Sequence, residues 1–140
     1  MRHYLIATHG MLASGYRHTL GMLAGGTDRL EIITAYMENI SVEQLAATFF
    51  QKLKTEDEVV VFTDILGGSV NQYFTGFLDR PHFHLIAGVN LPIIISIMYL
   101  SEDQYLDEET IGNVLEESRS QMVYMNQYMN QVILDDETEC

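Results

Sequence analysis

Four short apolar runs constrain this 140-residue chain more than any other feature. They are Tyr4–Thr8, Leu30–Tyr36, Val59–Thr63 and His84–Gly88. Each is close to continuously apolar rather than alternating, the mark of a parallel strand covered on both faces. Helical patterns separate the runs, so right-handed strand–helix–strand crossovers follow. The predicted fold is α/β, a doubly wound four-stranded parallel sheet. With the strand order 2-1-3-4, the carboxyl ends of strands 1 and 3 meet at the point where the order reverses, which is where open sheets carry their sites.

The segments between the strands carry helix signals. Ser14 is a predicted N-cap, Leu20, Leu23 and Ala24 follow at helical spacing, and Gly25-Gly26 closes that helix. Ser41-Val42-Glu43-Gln44 has the form of a capping box and opens a helix to about Lys54. A third helix is expected from Ser69 to Leu78, and a fourth from Asn90-Leu91-Pro92, with proline near its first turn. Asp107 caps a last helix running through Leu115, Met122 and Met125 to about Asn130. Residues 124–131 repeat a Tyr-Met-Asn-Gln unit twice, predicting a Tyr and Met stripe buried within the chain or against a second copy. Val132-Ile133-Leu134 is a short β-prone run.

No repeat, linker or low-complexity segment divides the chain, so one domain over 1–140 is expected, with an acidic tail from about 135 to 140. The balance of 7 basic against 20 acidic residues gives a net charge of −13. The basic residues are scattered, which argues against nucleic acid and against an anionic membrane surface. The single cysteine, Cys140, excludes a disulfide framework within one chain and fits a reducing cytoplasm. The N-terminus does not read as a secretory leader. The longest apolar run, Leu91–Leu100, is too short to span a bilayer.

Two of the strands end in reactive groups. The first runs into His9-Gly10 and the third into Asp64, followed by Gly67-Gly68-Ser69 at a helix start. A neutral imidazole is a nucleophile toward phosphorus and a general base, and a carboxylate fixes its tautomer and balances the charge it develops. Gly67, Gly68 and Ser69 are expected to supply free backbone N–H groups, open space and a hydroxyl for an anion. Together these groups suit phosphoryl transfer through a phosphohistidine, with no cofactor and no metal required.

Ala7-Thr8-His9-Gly10, Thr63-Asp64-Ile65-Leu66-Gly67-Gly68-Ser69 and Ile86-Ala87-Gly88-Val89-Asn90-Leu91-Pro92 carry a resemblance. In order and spacing they resemble the signature stretches of the mannose-family enzyme IIA domain of the bacterial phosphoenolpyruvate:sugar phosphotransferase system, over about residues 2–125. The resemblance implies that His9 accepts a phosphoryl group from HPr and passes it to enzyme IIB, for sugar uptake through the membrane IIC and IID subunits. It implies that Asp64 orients the ring and that Ser69 lies by the phosphorylated nitrogen. It also implies a homodimer that exchanges a C-terminal antiparallel strand, for which Val132-Ile133-Leu134 is the candidate. Val70 stands where some relatives have proline.

Other readings are weaker. A hydrolytic triad of Ser69, His9 and Asp64 lacks the G-x-S-x-G elbow. A metal site at His82 and His84 lacks a third ligand, so these read as ordinary surface or edge histidines. A regulatory module of the same fold, phosphorylated at His9 as a signal, would pass nothing on. The phosphotransfer subunit of a dihydroxyacetone kinase shares a similar fold, but Ala87-Gly88-Val89-Asn90-Leu91-Pro92 argues against it.

Overall fold

The computed structural model describes residues 1–24 and 27–138. Gly25-Gly26, expected to close the first helix, and Cys140 lie outside the described residues. In chain order the elements are β1 (Arg2–His9), α1 (Leu12–Leu23), β2 (Leu30–Ala35), α2 (Val42–Gln51) and β3 (Glu58–Thr63). Then come α3 (Ser69–Thr75), β4 (Phe83–Ile86), α4 (Leu91–Met98), α5 (Glu108–Arg119) and α6 (Met125–Thr138). The sheet order is β2-β1-β3-β4, and every pairing is parallel. The predicted fold and strand order are the observed ones.

The two faces of the sheet explain why the strands are apolar throughout. Tyr4, Ile6, Val60 and Phe62 pack on one face with Ala13 and Leu20 of α1, with α4, and with Ile111 and Leu115 of α5. Leu5, Ala7, Val59 and Val61 pack on the other with Ala46 and Phe49 of α2 and Phe74 of α3. Successive residues of β1 and β3 therefore enter opposite cores, so neither parity is free to be polar. Because α1 and α3 leave β1 and β3 toward opposite faces, a crevice opens between the carboxyl ends of these strands.

Several helix signals hold. Ser41 and Gln44 form the capping box, with Ser41 Oγ 3.1 Å from the Gln44 N–H and Gln44 Oε1 3.2 Å from the Ser41 N–H. Asn90 Oδ1 accepts the Ile93 N–H, and Asp107 Oδ1 accepts the Thr110 N–H. Other boundaries differ. Helix α1 begins at Leu12 rather than after Ser14. The Thr8 hydroxyl, at the end of β1, accepts the Ala13 N–H at 2.8 Å and satisfies the first turn from outside the helix. Helix α3 ends at Thr75, where Gly76 and Phe77 turn back three residues instead of four.

The C-terminal region departs most from expectation. The predicted last helix is two helices. α5 stops at Arg119, with Gln121 and Met122 closing tight turns to Ser118 and Arg119, and α6 begins anew at Met125. Val132-Ile133-Leu134 is not a strand but lies within α6. A helix satisfies its own N–H and C=O groups, which outweighs a modest β preference. The Tyr and Met stripe is likewise not buried in this chain, since Tyr124, Met125, Tyr128 and Met129 are all about half exposed or more.

Candidate functional site

The crevice at the β1/β3 boundary brings together three loops. β1 ends at His9 and its loop begins with Gly10, the loop after β2 begins with Tyr36, and the loop after β3 carries Asp64 through Gly68. Gly10 donates its N–H to the carbonyl of Ala35, tying the first loop to the end of β2 at 3.0 Å.

Asp64 grips His9 at two points. Its Oδ2 accepts the His9 backbone N–H at 2.9 Å and lies 3.0 Å from Nδ1 of the ring. Its other oxygen accepts the Ile65 N–H at 3.0 Å. Burial at the strand end works to raise the Asp64 carboxyl, but donation from the His9 main chain and ring outweighs it, so the group lies below the usual carboxylate range. An ionised Asp64 holds a proton on Nδ1 and leaves Nε2 with its lone pair. Nε2 faces the Ser69 hydroxyl at 3.3 Å, and the His9 side chain is 38% exposed. Nδ1 is thus the ring nitrogen held by Asp64, and Nε2 is the one beside Ser69.

The turn before α3 differs in detail from what its glycines promised. The Gly67 N–H donates to Asn71 Oδ1 at 3.1 Å, and the Gly68 N–H donates to the Ile65 carbonyl at 3.1 Å. These two amides hold the turn itself and are not free for an anion. Asn71 is anchored in turn by the Thr63 hydroxyl at 3.0 Å, and Gln72 Nε2 caps the Gly67 carbonyl at 2.7 Å. Gly67 occupies the left-handed region, with φ 76. Gly68 supplies space, since a Cβ there would stand 3.5 Å from Cε1 of His9.

Three of the expected residues, His9, Asp64 and Ser69, meet in one contact line. That line has the connectivity of a hydrolytic triad. Ser69, however, is the first residue of α3, and its Oγ is 2.6 Å from the Tyr36 hydroxyl rather than displayed on an elbow. Tyr36 is the site residue that sequence reasoning missed, read there only as a strand end. Its one available signal was its position, just past a third carboxyl end at the same crevice.

His82 and His84 have partners elsewhere. The His82 ring stacks on Tyr105, and His84 Nε2 lies 3.0 Å from Glu58. Among the described residues no group of three His, Cys, Asp or Glu side chains is arranged to hold a metal ion. No described helix is long and apolar enough to cross a membrane.

Comparison with known proteins follows the same lines. Residues 3–115 match the model of the EIIA-man family, described as the PTS system fructose IIA component. The PTS system fructose-specific EIIA component of Bacillus subtilis (strain 168) is 25% identical over 132 residues, covering 91% of this chain and 89% of that protein. A crystal structure of a protein from Klebsiella pneumoniae assigned to the phosphoenolpyruvate-dependent sugar phosphotransferase system is 35% identical. It superposes with a TM-score of 0.83 over 91% of this chain and 93% of that one. The PTS IIA protein associated with the fucose utilization operon of Streptococcus pneumoniae is 25% identical, with a TM-score of 0.73 over 91% of this chain and 96% of that one.

Proposed function

The chain belongs to the EIIA-man family of sugar phosphotransferase system components, and on that premise we propose that His9 carries a phosphoryl group from phospho-HPr to enzyme IIB. The observation that carries this reading is the orientation of the His9 ring. Asp64 holds Nδ1, and Nε2 is presented outward beside a hydroxyl. In the first step the Nε2 lone pair attacks phosphorus, and the bond from phosphorus to the HPr nitrogen breaks. The electron pair leaves with the HPr ring. The Nδ1 proton stays in place, so the His9 ring becomes cationic, and the Asp64 carboxylate balances that charge. Transfer to enzyme IIB is the reverse step with a new acceptor.

Ser69, from its hydroxyl, and the start of α3 would face the phosphoryl oxygens. The Gly67-Gly68 turn shapes the space they occupy. Around this point the loops expose Met11, Leu12, Tyr36, Met37, Ile65 and Leu66. An apolar rim around a reactive histidine suits docking of another protein rather than entry of a small sugar. Cytoplasmic placement follows from the proposed partners, and a homodimer is part of the same reading.

The test is phosphorylation from phosphoenolpyruvate through enzyme I and HPr. The protein is expected to become labelled and to discharge onto enzyme IIB, and His9→Ala is expected to remain unlabelled. Label that survives in His9→Ala would overturn the assignment. Label that forms on His9 but never reaches any enzyme IIB would favour the regulatory module.

A further inference from the structure

Resting on that phosphocarrier reading, we propose that Tyr36 is a second hydroxyl donor of the phosphoryl site, acting as a pair with Ser69 on the group borne by Nε2 of His9. Tyr36 immediately follows the last residue of β2 and has φ 68. That is left-handed backbone, which a bulky side chain rarely adopts without an opposing gain. Burial does not supply the gain, because Tyr36 is 65% exposed. What the conformation achieves is placement. The Tyr36 hydroxyl lies 2.6 Å from Ser69 Oγ, and its ring centroid lies 5.5 Å from that of His9.

With the His9 ring neutral, these groups form one hydrogen-bond relay. In the neutral ring Nδ1–H donates to Asp64, so Nε2 can only accept, and Ser69 donates to it. The Ser69 oxygen in turn accepts from the Tyr36 hydroxyl. Two O–H groups are therefore aimed, one behind the other, at the nitrogen that attacks phosphorus. When the Nε2 lone pair becomes the new N–P bond, Ser69 loses its acceptor. Both hydroxyls are then next to the phosphoryl oxygens, and no proton has to be transferred for either to donate. Donors already positioned where charge develops act mainly on the transfer step and little on docking.

Tyr36→Phe keeps the ring and deletes the donor. With wild-type protein labelled on His9, the variant is expected to accept phosphate from phospho-HPr about tenfold more slowly at saturating donor. The half-saturating HPr concentration should stay within twofold, and the 31P resonance of the phosphohistidine should be displaced. Tyr36→Gly removes the donor and relieves the left-handed backbone. It is expected to transfer as slowly as Tyr36→Phe while melting no lower than wild type. Transfer within twofold of wild type with an unmoved 31P resonance in Tyr36→Phe would overturn the role of Tyr36 and leave the carrier reading standing. Failure of the wild-type protein to accept label at all would overturn both.

Discussion

Asp64 contacts His9 through both the backbone N–H and ring Nδ1, with one carboxylate oxygen serving both at 2.9 and 3.0 Å. The double contact fixes where the ring sits and which nitrogen carries the proton. Asp64→Asn keeps the size but removes the charge, and its amide can donate to Nδ1, which moves the ring proton to Nε2. Phosphoryl transfer is expected to slow on the order of 100-fold, with an unchanged circular dichroism spectrum. Rapid-quench kinetics with phospho-HPr measures it, and wild-type rates in Asp64→Asn would remove the orienting role.

Gly67 and Gly68 are adjacent but predict different losses. Gly67 has φ 76 with nothing near an added Cβ, so Gly67→Ala meets only backbone strain. It is expected to cost about 1 kcal/mol of stability by urea titration. Gly68 is unstrained, yet an added Cβ would meet the Ile65 side chain and carbonyl at 3.3 Å and His9 Cε1 at 3.5 Å. Gly68→Ala therefore presses on the imidazole, and several-fold slower transfer is expected with a smaller stability loss. Unaltered transfer in Gly68→Ala would show that the turn does not set the ring position.

The strands and the His9, Asp64 and Ser69 constellation were readable because each depends on local order. An apolar run ends, and a reactive residue follows at the carboxyl end. What was not readable depends on conformation or on distant pairing. Nothing in the residue type announces that Tyr36 takes left-handed backbone. The Gly67 amide is spent on Asn71, whose side-chain direction depends on its bond to Thr63. Arg2 and Glu58 are sequence-distant and meet only because β1 and β3 pair in that register. Val132-Ile133-Leu134 has β-prone residues, but residue preference alone does not reveal the helix that its backbone forms in α6.

At the amino end of the sheet, far from His9, the buried Arg2 guanidinium donates to Glu58 Oε1 at 2.5 Å and to the carbonyls of Leu100, Ser101 and Gln104. Glu58 Oε2 also accepts the Leu106 N–H. Burial works to raise the Glu58 carboxyl from its ordinary 4.5, but Arg2, Leu106 and His84 outweigh it and hold it lower. The unfolded chain thus takes up this proton at higher pH than the native one. The stability from Glu58 is complete above its unfolded value and is lost as pH falls through the native one. Removing one partner of a buried pair costs about 3–5 kcal/mol, so Glu58→Gln should be strongly destabilised near neutral pH. It should also lose stability less steeply than wild type below about pH 4.5. Urea midpoints measured from pH 7 to pH 3 decide it, and parallel curves would exclude Glu58 as the titrating group.

The family match ends at residue 115, before α6 begins. Along α6 the side chains of Met125, Tyr128, Met129 and Ile133 are all about half exposed. They follow helical spacing, so they form a stripe that one chain leaves in water. An apolar groove of about 410 Å³ lies between the end of β4, α4 and α5, lined by Leu66, Ile86, Val89, Ile93, Ile111 and Leu115. In the proposed homodimer, a second copy of this chain covers the stripe. Light scattering at micromolar concentration is expected to give twice the chain mass. Met129→Glu places a charge in the stripe without touching any residue of the crevice, and is expected to shift the protein toward monomer while His9 still accepts phosphate. A monomeric mass for the wild-type protein would remove the dimer and leave the stripe without this explanation.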